Sequence, residues 1–66
     1  MTNPLERRPG DAREITTHVR WHARQRRPFR EVWRDCLTWW PWLARRRGAI
    51  QAVVDIYWEA HPLQKD

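Results

Sequence analysis

His18 and His22 stand four residues apart, the spacing at which two imidazoles leave one side of a helix and can clip a metal. Further ligands would have to come from Cys36, His61 or Glu14. The pair also sits at the edge of an apolar stripe, where two imidazoles shield it from water, and no metal or cofactor is expected. Cys36, the single cysteine, could serve as a nucleophile with His18, His22 or His61 as its base. It falls in the middle of another apolar stripe, where a thiol is buried and inert. The chain has no serine and no glycine-rich phosphate loop. Glu31 and Asp35, with Arg30 and Arg34 beside them, read as a solvated helix face held by side-chain pairs. The chemistry expected is therefore binding and not catalysis.

Two residue types dominate that binding chemistry. Twelve of the 13 basic residues are arginine, and six tryptophans accompany one Phe and one Tyr. Arg and Trp are the side chains most enriched at binding hot spots. Arg also pairs with phosphate and stacks on rings in ways that Lys does not. The arginine skew is what a GC-rich genome produces, so a high-GC bacterium or its phage is the expected source. All twelve arginines precede residue 48, giving a basic body, and the remainder is mildly acidic. On helix one, Arg13, Arg20, Arg24 and Arg27 form a ridge beside Thr17 and Trp21, suited to a phosphate backbone or to an acidic groove on a protein.

These side chains need elements to carry them. A chain of 66 residues is one small domain of marginal stability, and a lone cysteine rules out an internal disulfide framework. Residues 1–10 hold Pro4, Pro9 and Gly10 without periodicity and read as a flexible arm, with no apolar stretch of the signal-peptide kind. Asp11 with Glu14 resembles a capping box, opening helix one over about 11–27 with Ala12, Ile15, Val19 and Ala23 in one stripe. Helix two spans about 28–47, with Phe29, Val32, Trp33, Cys36, Leu37, Trp40, Leu43 and Ala44 at helical steps. The stripe keeps its phase across Pro41, which predicts one rod kinked there. Arg45 to Arg47 and Gly48 form a stop signal. Helix three covers about 49–61, with Ile50, Val53, Val54 and Tyr57 inward and Trp58 at the edge. Residues 11–62 thus form a single all-α domain, a small bundle of two to three helices, and 63–66 a tail.

The segment Trp39-Trp40-Pro41-Trp42-Leu43-Ala44-Arg45-Arg46-Arg47 resembles the short Trp/Pro/Arg antimicrobial peptides of the cathelicidin group over nine residues. That resemblance implies affinity for anionic membrane interfaces. Because the segment stays in phase with the helix-two stripe, it is read first as core and interface. No stretch is long and apolar enough to span a membrane, and a cytoplasmic protein is expected.

Six indoles exceed what one small core can take. Trp21 and Trp42 point away from their stripes, Trp39 sits at an edge, and Ile56 lies off the helix-three stripe. A contiguous apolar patch marks an interface. Homodimerisation would cover it and complete the bundle. The main expectation is a small interaction protein that docks on a larger protein with an acidic surface and inhibits or modulates it. Trp21, Trp39, Trp42, Ile56, Arg45 and Arg46 would form the partner-binding set. The alternative is a nucleic-acid-binding protein of low sequence selectivity, acting through Arg13, Arg20, Arg24, Arg27 and Arg47. Against it, helix three offers Gln51, Asp55 and Glu59, and its two carboxylates carry the wrong sign for phosphate.

Overall fold

The protein is all-helical, and the computed structural model describes residues 3–62. Three α-helices and one 3-10 turn follow in order: α1 (Asp11–Arg24), α2 (Phe29–Trp39), the turn Pro41–Arg45, and α3 (Ala49–Ala60). No strand occurs among the described residues. The expected tail, 63–66, lies outside them, as do Met1 and Thr2 of the arm.

The stripe of α1 buries Ile15, Val19 and Ala23 completely. They meet Val32 and Cys36 of α2, Leu43 of the turn, and Ala49, Val53 and Tyr57 of α3 in one core. α3 packs chiefly on α1. In α3 the inward line differs from the expected one. Ile50 and Ile56 flank the Val53–Tyr57 line on opposite sides, and the bundle takes the Ile56 side. Ile56 therefore packs on the core, while Ile50 is 51% exposed.

The helix ends correct three expectations. First, α1 stops at Arg24 and does not reach residue 27. Arg26 takes a left-handed φ of 62°, and the amides of Arg26 and Arg27 bond back to the carbonyls of Ala23 and His22. These are the two reverse bonds of a Schellman stop, set before Pro28 can act. Second, helix two is not a kinked rod. It ends at Trp39, Trp40 turns to φ −132°, ψ 70°, and Pro41 opens a separate 3-10 turn. A proline pushes its predecessor out of the helical region and brings no N–H, and here both effects fall where α2 ends. Leu43 reaches the core even so. Third, Asp11 does not cap forward. Its Oδ2 accepts from the backbone amides of Arg7 (3.2 Å) and Arg8 (2.7 Å), upstream of the helix.

The arm is corrected too. Leu5 is buried in the core at 3% exposure. Arg46 Nη1 donates to the carbonyl of Glu6 at 2.9 Å, and Glu6 Oε2 accepts from the amide of Gly10 at 3.1 Å. Residues 3–10 thus fold against the 3-10 turn. Gly10 (φ 96°) and Gly48 (φ 81°) introduce α1 and α3 from the left-handed region, where residues with a Cβ are strained.

Candidate functional site

Consecutive indoles at the end of α2 diverge because the backbone leaves the helix between them. Trp40 turns inward and meets the ring of His18 edge-on, with centroids 5.6 Å apart. Trp39, still helical, stands in solvent at 71% exposure, more than Trp21 (58%), Ile50 (51%) or Trp58 (40%). Trp39 and Trp40 both line two grooves. The larger, about 540 Å³, is lined by Arg13, Glu14, Thr17, His18, Trp39 and Trp40. The smaller, about 310 Å³, is lined by Arg7, Arg8, Asp11, Trp39, Trp40, Pro41 and Trp42. The exposed Trp39 therefore borders two grooves, each lined by arginine and each including one carboxylate.

The backbone that carries Arg7 and Arg8 is tied down, while their side chains are exposed. Asp11 and Glu6 fix the amides of Arg7, Arg8 and Gly10, so the loop carrying both guanidinium groups is tied to the start of α1. Sequence reasoning missed Arg7 and Arg8 by placing them in a flexible arm. Leu5, an isolated apolar residue in a polar segment, was the available sign of an anchor.

The other proposed binding residues divide. Trp21 is exposed, with its edge against His22, and lies outside both grooves. Trp42 corrects the expectation that it points away: it is half-buried against the core, with the Arg46 guanidinium 5.0 Å from its ring centre. Ile56 is likewise partly buried. Arg46 is occupied by Trp42 and the arm carbonyls, whereas Arg45 and Arg47 are exposed. On the proposed ridge, Arg13, Arg20 and Arg24 remain exposed, with Arg20 3.9 Å from Glu59.

Arg27 leaves the ridge altogether. It lies beyond the α1 stop and reaches α2, where Nη1 donates to Asp35 Oδ2 at 2.6 Å and lies 2.9 Å from His22 Nδ1. Arginine only donates, so Nδ1 of His22 accepts. Glu31 stands 3.4 Å from Nη2. The backbone carbonyl of Arg27 accepts from the Tyr57 hydroxyl of α3. The hydrogen bond from Arg27 holds the Asp35 carboxyl below its ordinary range. His18, His22 and Asp35 come together here, with one ligand atom from each lying within 4.8 Å of the others. The sequence reading named the two histidines but looked for further ligands in Cys36, His61 and Glu14. Asp35 comes from the face assigned to solvent.

Titration states follow from burial. Burial lowers both imidazoles; His18 is lowered further by His22 and Arg27, and His22 by Arg27. Burial pushes the Cys36 thiol up to about 12, so it stays protonated at neutral pH and lacks the thiolate that nucleophilic catalysis needs. No helix among the described residues is long and apolar enough to cross a membrane.

Comparison with protein-family models, curated proteins and solved structures finds no match to this chain.

Proposed function

We propose that this chain is a small, non-enzymatic interaction protein that docks on a larger protein through Trp39 and its arginine rim, and inhibits or modulates it. The observation that carries this reading is the exposure of Trp39 on the border of two grooves that are both lined by arginine. An indole standing 71% in solvent gains most from being covered, and surrounding arginines give a partner charge complementarity. Each groove also contains a carboxylate, Glu14 in one and Asp11 in the other. A mixed-sign rim suits a protein surface with both charges better than a uniformly anionic phosphate backbone. The partner expected is a cytoplasmic protein presenting an apolar pocket ringed mainly by acidic groups.

Homodimerisation belongs to the same proposal. A further groove, about 280 Å³, is lined by Trp33, Leu37, Leu43, Ala44, Arg46 and Ile50 and is predominantly apolar. Pairing of two copies over Ile50 would cover it and leave Trp39 free. Sedimentation tests this: a dimer at micromolar concentration that Ile50→Glu converts to monomer is the expected result, and a wild-type monomer refutes it.

The nucleic-acid reading keeps one specific observation in its favour, the continued exposure of Arg13, Arg20 and Arg24 along α1. The two readings separate in paired variants. Replacing Arg20 and Arg24 by Gln should abolish weak, salt-sensitive binding to mixed DNA. Trp39→Ala should leave that binding nearly unchanged while disrupting the protein complex. Tight binding of short duplexes at physiological salt, with the protein complex indifferent to Trp39, reverses the assignment.

A further inference from the structure

We infer that His18, His22 and Asp35 form a binding site for a divalent cation of the zinc type, which would clip α1 to α2.

Three observations converge on this site. The first is the donor set. Two imidazoles one helical turn apart on α1 face a carboxylate on α2, and a ligand atom of each lies within 4.8 Å of the other two. Two nitrogens and one oxygen suit Zn²⁺ and its borderline neighbours, whereas Mg²⁺ and Ca²⁺ require oxygen ligands. Three protein ligands leave one tetrahedral position for water.

The second is an orphaned atom. Nε2 of His18 is buried and has no hydrogen-bond partner among the described residues. A buried polar atom without a partner carries a desolvation cost, which a cation bound through Nε2 would offset.

The third is the cation already present. The Arg27 guanidinium donates to Asp35 Oδ2 at 2.6 Å and to His22 Nδ1 at 2.9 Å, so two of the three groups already converge on one positive charge. A metal held by the same three residues would draw on the same imidazole and carboxylate. Zinc bonds of about 2.0–2.2 Å require the ligand atoms to draw closer than they now stand, and require Arg27 to withdraw. Glu31, 3.4 Å from Nη2, gives the displaced guanidinium a partner. Arg27 thus competes with the metal for the site.

The test is titration of the full chain with Zn²⁺, and with Co²⁺ for its visible absorption. The expected result is one ion per chain at micromolar concentration, with the absorption of four-coordinate Co²⁺ removed by Zn²⁺. In wild-type protein, ¹⁵N ring resonances of His18 and His22 should shift on binding while those of His61 stay in place. His18→Gln and His22→Gln should each weaken binding at least about tenfold, since even outer-shell changes cost that much. Arg27→Gln should tighten binding, because the competing cation is gone, whereas an electrostatically neutral site would be indifferent. Failure of micromolar Zn²⁺ to bind, or shifts confined to His61, overturns the inference. So does binding that Arg27→Gln weakens while circular dichroism shows an intact helix content. The wild-type resonances decide the matter even where a variant fails to fold.

Discussion

Replacing Tyr57 by Phe removes one oxygen and tests whether the α1–α2 linker is fixed by α3. The Tyr57 ring is 2% exposed and makes edge contacts with Phe29, at 5.4 Å, and with Trp58, at 4.8 Å. Phe preserves those ring contacts. What it loses is the hydroxyl that donates to the Arg27 carbonyl. The loss leaves a part-buried carbonyl without that donor, a cost of about 1–2 kcal/mol. At 0.05–0.15 kcal/mol per residue, a 66-residue chain has roughly 3–10 kcal/mol of total stability, so the loss is a substantial fraction. For a domain this small, it corresponds to a melting temperature lower by roughly 5–15 °C. Thermal and urea unfolding followed by circular dichroism would read it, with the urea slope unchanged if both states keep their compactness. Tyr57→Ala removes the ring as well, about 3–5 kcal/mol, and should leave the chain largely unfolded. A Tyr57→Phe protein that melts with wild type would refute the reasoning, and the linker would then be held by other contacts.

Further predictions concern the turns and the core thiol. Pro41→Ala should lower stability by about 0.5–1 kcal/mol, because Pro41 starts a separate turn and its fixed φ restrains the unfolded chain; a rise in helicity and melting temperature would restore the kinked rod. Gly48→Ala should cost about 1–2 kcal/mol, since φ is +81° while the space for a Cβ is adequate, with Pro4 Cβ at 3.7 Å; urea unfolding checks it, and an unchanged midpoint contradicts it. Cys36 should resist iodoacetamide at pH 8 in the folded protein and react once urea unfolds it; rapid labelling of the native chain would show the thiol to be accessible. The same thiol makes stability fall with rising pH. Its folded pKa of about 12 exceeds the unfolded value of about 8.5, so the loss begins above that lower value, at about 1.4 kcal/mol per pH unit, and ends near the folded one.

The legible parts of the fold are those that repeat. Ile15, Val19 and Ala23 follow a helical period and are fully buried. The kinked rod failed because phase is a poor witness at a proline: Val32, Cys36 and Leu43 all reach the core whether or not the helix is continuous. What decides is the single residue before Pro41, which leaves no periodic trace. Leu5 was invisible for a related reason, since one apolar residue has no period at all. In α3, Ile50 and Ile56 are equivalent by spacing, and only the approach of the other helices distinguishes them. The candidate site divides along the same line. Trp39 was readable as an edge residue from its position on the stripe. Arg7 and Arg8 required knowledge that Asp11 bonds backward, and Asp35 beside His22 required the crossing of α1 and α2.

The central claim, that Trp39 is the anchor of a protein-docking surface, is tested most directly by capture with and without nuclease followed by titration of the purified partner. Wild-type protein and Trp39→Ala are presented to host lysate, and any protein retained is then titrated against both. A nuclease-resistant protein complex is predicted. Its affinity should fall about 30-fold or more in Trp39→Ala, the equivalent of about 2 kcal/mol for a hot-spot indole. The melting temperature should stay essentially unchanged, because the indole is 71% exposed. A complex that dissolves on nuclease treatment, or a purified partner that binds Trp39→Ala as tightly as wild type, would contradict it.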